Sequence, residues 1–142
     1  MGGFFLCILA GAAMSIQGVM NTRLSAQIGT MEANAFVQVT AAVLSVLVLL
    51  FWRTGSFAAL GSVNKLYWCG GILALVITVT VMLGIGKLGP TLAISVILIA
   101  QLLTAAGIDA FGLMDSEKLP FGWTKWCGLA LMTGGMLLFK TA

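Results

Sequence analysis

The chain has 142 residues, of which 61% are hydrophobic and 8% are charged, and its net charge is +3. A soluble domain of this size could not bury so much apolar surface, and the isolated basic residues form no cluster interleaved with aromatics, so the composition excludes a water-soluble fold and a nucleic-acid-binding surface. The chain has no His, and its three Cys show no paired ligand spacing; we therefore expect no metal site, no cofactor and no enzyme activity.

Five apolar runs follow one another along the chain, each close to the ~20 residues that carry a helix across a hydrocarbon core. They cover residues 3–20, 33–52, 67–85, 90–114 and 123–139. These runs predict an all-α membrane protein with five transmembrane helices in a single domain, residues 1–142. The first run has no basic segment before it and carries Gln17 and Asn21 on the same helical course, so we expect it to remain as helix 1 rather than to be removed as a signal peptide.

Helices 1 and 2 carry amide side chains that a bilayer makes costly and that are therefore functional candidates. Gln17 and Asn21 are four residues apart on helix 1, and Asn34 and Gln38 are four apart on helix 2, so each pair shares one helix face. The alternative role is an interhelical hydrogen bond that only holds the bundle together. That structural role is favoured for Asn34 taken alone, whereas for Gln17 with Gln38 the two roles are evenly balanced.

A short glycine-containing segment separates helices 3 and 4. Gly84, Gly86 and Gly89 precede Pro90, and Pro is tolerated in the first turn of a helix. The spacing predicts a tight turn and not a phosphate-binding loop.

Helix 4 carries Gln101 near its middle and Asp109 nearer its end. For Gln101 the structural role is favoured. Asp109 is the only acid inside an apolar run, and it could either serve the solute or pair with Lys118 or Lys125 near the helix end. The predicted substrate-binding set is Gln17, Asn21, Gln38, Gln101 and Asp109.

Depth in the membrane suggests how these groups meet. At 1.5 Å per residue, Gln17 and Gln38 lie roughly 7–8 Å inside the boundary that follows helix 1, whereas Asp109 lies roughly 7–8 Å inside the opposite boundary. Only a second, inverted copy brings Asp109 level with Gln17, Asn21 and Gln38. The arrangement predicts two equivalent sites in an antiparallel dimer, each formed by both subunits.

Small residues mark helix 5. Ala130 and Gly134 form a small-xxx-small pair, with Gly128 and Gly135 nearby, which allows close backbone approach between helices. We assign this surface to dimer contact; packing within one subunit is the alternative.

The basic residues are almost evenly divided between the two sides of the membrane. If the amino terminus lies on side A, that side carries Arg53, Lys65, Lys118 and Lys125, and side B carries Arg23, Lys87 and Lys140. Orientation follows an excess of Lys and Arg in cytoplasmic loops, so a 4 to 3 division indicates either a poorly specified orientation or insertion in both. We favour insertion in both, which lets two copies supply the inverted repeat that larger transporters carry in one chain.

Three motifs resemble those of a known family. They are Gln17-Gly-Val-Met-Asn21-Thr-Arg-Leu, Leu88-Gly-Pro-Thr-Leu-Ala with Gln101, and the stretch from Gly128 to Gly135. Together they resemble the small five-helix, EamA-like members of the drug/metabolite transporter superfamily, a group long labelled a bacterial domain of unknown function. The resemblance implies a multi-pass protein of the bacterial inner membrane in which two inverted five-helix units form one ten-helix transporter.

The chain departs from the four-helix multidrug and guanidinium exporters of that superfamily, which carry an essential Glu in the first helix. Its helix 1 has only Gln17 and Asn21, so proton-coupled export of organic cations by that mechanism is not expected. We predict a secondary transporter of a small polar metabolite or drug-like solute that works by alternating access. The alternatives are a passive small-solute channel and a non-transporting accessory subunit. The expected partners are an inverted second copy, a small-molecule substrate and the lipid bilayer, with no nucleic acid.

Overall fold

The computed structural model describes residues 2–120 and 122–141, and within them it is helical with no β-strand. The long helices are α1 (Gly2–Ile28), α2 (Thr30–Phe51), α3 (Gly70–Leu88), α4 (Pro90–Phe111) and α5 (Trp123–Thr141). Short 3₁₀ helices occupy Phe57–Ser62, Lys65–Cys69 and Leu113–Asp115. The predicted all-α class is confirmed.

Four segments of the described chain are long and apolar enough to cross a membrane. They are Gly2–Ile28, Thr30–Phe51, Lys65–Leu88 and Pro90–Phe111. Helix α5 has 19 residues, a length of about 28 Å at 1.5 Å per residue. Its two Lys and its Thr and Gly residues make it less apolar than the other four, so the fifth crossing stays a prediction.

The largest difference from the predicted helix bounds lies at the end of α1. The helix continues through the largely polar residues 21–27 to Ile28, where the apolar pattern alone predicts an end near residue 20. Polarity ends a membrane span but does not end a helix, because Gln, Arg and Ser are tolerated in an exposed helical segment. A single residue, Gly29, therefore separates α1 from α2.

Two glycine turns share one backbone geometry. The Gly29 turn (Gln27–Asn34) has φ 100° and ψ 153° at its glycine, and the Gly89 turn (Lys87–Ile94) has φ 78° and ψ 162°. Side chains with a Cβ almost never adopt this region. Each glycine caps the helix that follows it, and the predicted tight turn at Gly89, with Pro90 in the first turn of α4, is confirmed.

The helix after each glycine begins with the same backbone hydrogen bond, which an alanine donates. The backbone N–H of Ala33 donates to the Gly29 carbonyl at 3.0 Å, and that of Ala93 donates to the Gly89 carbonyl at 3.1 Å. Both alanines are buried, at 0% and 2% exposure. The chain thus forms the same local turn twice, 60 positions apart.

The chain divides into two compact units. Unit 1, Met1–Gly86, contains α1, α2 and most of α3, and unit 2, Lys87–Ala142, contains α4 and α5. The buried residues of unit 1 are Gly18, Asn21, Ala33, Asn34, Met82 and Ile85. All of them lie toward the Gly29 end of α1 and α2 or in the last two turns of α3. In contrast, the described residues 2–14 are all exposed, so that half of α1 is free to face lipid or another chain.

Most helical hydroxyls are satisfied within their own helix. Such bonds to the carbonyl four residues back are made by Ser15, Thr22, Thr40, Ser45, Thr78, Thr80, Ser95, Thr104 and Thr133. This local pairing lets Ser and Thr sit in a membrane helix without an interhelical partner. Asn and Gln side chains do not pair as readily with a carbonyl of their own helix. Their hydrogen-bond partners therefore have to be sought on neighbouring helices.

Candidate binding site among the first three helices

Gly18 lets α1 approach α3 closely. A Cβ at this position would lie 2.8 Å from Ile85 Cδ1 and 3.3 Å from Val81 Cγ1, so a side chain would force Ile85 to move. One turn later, the Thr22 hydroxyl donates to the Gly18 carbonyl at 2.7 Å and reaches the Met82 carbonyl at 3.5 Å. The close approach depends on the absence of a side chain, as at other helix contacts in membranes.

Gln38 joins α2 to α3. Its Nε2 donates to the Thr78 hydroxyl at 3.5 Å, and that hydroxyl donates in turn to the Ala74 carbonyl at 2.8 Å. A donor–acceptor distance of 3.5 Å marks a weak hydrogen bond. This contact is an interhelical bond of the structural kind, and it leaves the side-chain carbonyl of Gln38 available for another donor.

Asn34 is buried without a partner for its acceptor. The residue is 5% exposed, and its Oδ1 accepts no hydrogen bond from any described residue. A buried acceptor left unpaired costs about 1–3 kcal/mol. The sequence favours a structural hydrogen bond for Asn34, and the structure instead shows an Oδ1 with no such bond; polarity alone gave no signal that distinguishes this residue from Gln38.

The remaining amides of unit 1 differ in exposure. Asn21 is buried, with 8% exposure, whereas Gln17, one turn earlier on α1, is exposed. Asn21, Asn34 and Gln38 together with Thr78 are called the amide cluster below. Its members come from all three helices of unit 1, and the contact that joins two of these helices is the hydrogen bond from Gln38 to Thr78. The predicted partner Gln17 is exposed and lies one turn before Asn21.

The amide cluster carries no formal charge. The nearest charged residues along α1 and α2 are Arg23 and Glu32, and both side chains are exposed. No group of His, Cys, Asp and Glu among the described residues is arranged to hold a metal ion. The cluster can therefore offer hydrogen-bond donors and acceptors to a ligand, but no ionic partner.

The helix ends change the predicted depths. Gln17 and Gln38 each lie six positions from a charged residue, Arg23 and Glu32, or about 9 Å along the helix, so the two glutamines keep a common depth. Asp109, in contrast, is in the last turn of α4, about 3 Å from its end at Phe111. Helix α4 thus ends nearer to Asp109 than the apolar pattern predicts, and the depth match between Asp109 and the glutamines of an inverted copy stays a prediction.

The early end of α4 has a local cause. Gly112 adopts a left-handed conformation, φ 63° and ψ 41°, and caps the helix, which is a common way for helices to end. The predicted end at residue 114 lies beyond this cap. Asp109 is half-buried and Gln101 is exposed, and both lie on α4 in unit 2.

The glycine surface of α5 is open. A Cβ added to Gly128, Gly134 or Gly135 would meet no atom within 4 Å. On an adjoining part of the helix, Trp123, Trp126, Cys127 and Ala130 line a shallow groove. At these glycines the described residues leave space for another helix, while α5 as a whole packs against α4. The predicted dimer contact stays a prediction.

Comparison with known proteins gives one match. The family described as "Putative inner membrane exporter, YdcZ" matches residues 3–138, and the chain therefore belongs to this family. No curated protein and no solved structure matches the chain. The family and the four apolar helices identify a multi-pass inner-membrane protein and a membrane transporter of the drug/metabolite superfamily type.

Proposed function

We propose that this member of the inner membrane exporter family carries a small polar solute by alternating access as an antiparallel homodimer of dual topology. The observation that carries the proposal is the burial of Asn21 and Asn34, at 8% and 5% exposure, near the ends of α1 and α2 that meet at Gly29. Polar groups buried among membrane helices are costly, and such groups mark solute pathways in transporters. The cluster supplies hydrogen-bonding groups where a solute crossing the membrane would need them.

Dual topology depends on whether α5 crosses the membrane. With five crossings, sides A and B carry 4 and 3 basic residues; with four, Lys140 joins side A and the division becomes 5 to 2. A 5 to 2 bias would fix a single orientation. The proposal therefore requires the fifth crossing, for which α5, at about 28 Å, is long enough.

The open glycine surface of α5 supports a dimer contact. Without a hydrophobic driving force inside the bilayer, helices associate where small residues let their backbones approach. A Cβ at Gly134 would meet no atom of the described residues within 4 Å, so a second copy can reach it. An inverted copy would present the same surface and would complete the ten-helix arrangement.

Topology is tested by reporters fused to Ala142, which lies outside the described residues. One reporter is active only in the cytoplasm and the other only outside it, and both should give strong signals. Gly61→Lys with Ser62→Lys adds two charges on side A, and Ala26→Lys with Gln27→Lys adds two on side B. These pairs should drive insertion in opposite directions, and co-expression of the two biased forms should restore any activity that each loses alone. One silent reporter in the unmodified chain would refute dual topology.

The dimer surface is tested by Gly134→Leu. A leucine would hold the two helices apart, so the variant should run as a folded monomer in cross-linking and native mass spectrometry. Gly11→Leu is the matched control. A Cβ at Gly11 would also meet no atom within 4 Å, but Gly11 lies on α1 and not on α5. If Gly134→Leu dimerises like the control, the contact lies elsewhere.

Carrier activity is tested in two steps. A thermal-shift screen against a metabolite library identifies a ligand, since binding to the folded state raises apparent stability. Proteoliposomes then show whether its transport saturates and whether internal unlabelled ligand accelerates uptake of labelled ligand. Saturation with exchange supports a carrier, unsaturable flux would indicate a channel, and absence of flux would indicate an accessory subunit.

The composite site remains a separate proposal. In fused, orientation-locked dimers, Gln17→Leu and Asp109→Asn placed on different subunits would leave one intact site, whereas both on one subunit would damage each site once. Different transport rates for the two arrangements would support a site shared between subunits. Equal rates, with neither single change affecting transport, would limit Gln17 and Asp109 to structural roles.

A further inference from the structure

We propose that Asn34 Oδ1 is the acceptor through which the transporter recognises a neutral solute bearing N–H or O–H donors. The inference rests on the proposed transport function and names the class of its solute. Its starting point is the 5% exposed Asn34, whose Oδ1 lacks any donor among the described residues. A buried acceptor that the protein leaves unpaired is satisfied when a ligand brings the missing donor.

The fold does not require an amide at position 34. The Gly89 turn has the same glycine conformation and the same buried alanine, yet it carries Ile94 where the Gly29 turn carries Asn34. One turn further along, Leu98 occupies the position equivalent to Gln38. The second turn forms with apolar residues at both positions. The turn conformation therefore does not explain why Asn34 and Gln38 are polar.

The neighbouring donors that the structure pairs are directed at other acceptors. Gln38 Nε2, one turn along the same face of α2, donates to Thr78. The Thr22 hydroxyl donates to the Gly18 carbonyl and reaches that of Met82. Neither contact reaches Asn34 Oδ1, so a bound molecule with an N–H or O–H group can supply the donor that this atom lacks.

The absence of charge in the cluster selects a neutral solute. The exposed Arg23 and Glu32 lie on the flanks of the cluster and not within it, and no carboxylate or basic group is present among its members. An ion buried against these side chains without a charged partner would lose more hydration energy than amide dipoles return. A urea-like, amide or polyol solute instead matches the acceptors of Asn34 and Gln38 with its own donors.

The test uses equilibrium dialysis of purified dimer with labelled probes. The donor probes are urea, glycerol and erythritol; fully methylated derivatives of each keep the acceptors and remove the donors, and guanidinium adds charge to the shape of urea. At least one donor probe should bind, its methylated form should not, and guanidinium should bind more weakly than urea. Asn34→Leu, similar in size to Asn, should weaken the donor probe about tenfold, as expected for loss of one hydrogen bond.

Two further variants make the result decisive. Asn64→Leu is the control, because Asn64 lies in an exposed loop where its Oδ1 already accepts from the Leu66 N–H at 3.0 Å; binding should not change. Asn34→Asp keeps the acceptor and adds a negative charge, so it should reverse the preference between urea and guanidinium, which also tests the site if Asn34→Leu does not fold.

The opposite results overturn the inference. Equal binding of a donor probe and its methylated form, no donor binding at all, or tenfold loss in Asn64→Leu as well would show that Asn34 Oδ1 recognises no donor. The assay measures binding and not flux, so an accessory protein could still pass it. Conversely, a working carrier could fail it, which separates this inference from the proposed function.

Discussion

The Gly29 and Gly89 turns use the same backbone to carry different side chains. Both glycines adopt a conformation that favours Gly strongly, and both precede a buried alanine by four residues. The next positions differ. The first turn is followed by Asn34 and Gln38, and the second has Ile94 and Leu98 at the equivalent positions. The comparison separates what builds a turn, which is glycine and small residues, from what equips a site, which is the amides.

The largest expected effect is at the turn glycines. Gly29→Ala and Gly89→Ala should each lower the free energy of unfolding by about 1–3 kcal/mol, because the alanine Cβ is strained at these torsions. The two costs should be similar, because the Glu32 carboxylate that a Cβ at Gly29 would displace ends a flexible, exposed side chain, and a Cβ at Gly89 meets no atom within 4 Å. Adding Glu32→Ala should therefore change the cost of Gly29→Ala little.

Unfolding in mixed detergent, followed by circular dichroism, measures these differences. Gly11→Ala is the control, because Gly11 lies within α1 and a Cβ there meets nothing within 4 Å. Alanine should stabilise that helix slightly. If Gly29→Ala behaved like Gly11→Ala, the turn would not depend on the conformational freedom of glycine.

A reciprocal exchange gives the next largest effect. Asn34→Leu should leave stability unchanged or raise it by about 1 kcal/mol, because it removes a buried acceptor that has no partner. Ile94→Asn should lower stability by about 1–3 kcal/mol, because it places a new amide at a half-buried apolar position. The same unfolding assay compares them, with Asn64→Leu as an exposed control. A large destabilisation by Asn34→Leu would mean that Asn34 is structural and would remove the contrast between the turns.

The smallest effect concerns the bond between Gln38 and Thr78. At 3.5 Å this bond is weak, so a double-mutant cycle with Gln38→Leu and Thr78→Val should give a coupling energy below about 1 kcal/mol. Leu98→Met, at the position equivalent to Gln38 in the second turn, should be close to neutral. A coupling well above that range would indicate that Gln38 serves mainly to join α2 to α3.

Helix bounds show where the sequence is a poor guide. Apolar runs locate membrane spans, but α1 continues past its apolar run to Ile28, since polar residues outside the bilayer still form helix. Similarly, α4 ends at Phe111 because Gly112 turns left-handed, although the apolar pattern continues to residue 114. Both shifts change the helix ends from which the depth of a side chain in the membrane is inferred.

Residue chemistry predicts candidates better than it ranks them. The amides of α1 and α2 stand out because they are polar within apolar runs, and Asn21, Asn34 and Gln38 do lie toward the interior of unit 1. The same reasoning gave Asn34 less weight than Gln17. Burial and pairing reverse that order, since Gln17 is exposed and Asn34 is buried with an unpaired acceptor.

The sequence by itself determined the all-α class, the apolar spans and the tight turn at Gly89, because hydrophobicity and the special torsions of Gly and Pro act locally along the chain. Tertiary structure alone decided which amides are buried and which hydrogen bonds they make. It also decided that Gly18 packs against Ile85, while a Cβ at Gly134 would meet no described atom within 4 Å. These outcomes depend on how separate helices approach one another, and no local pattern of residues specifies that geometry.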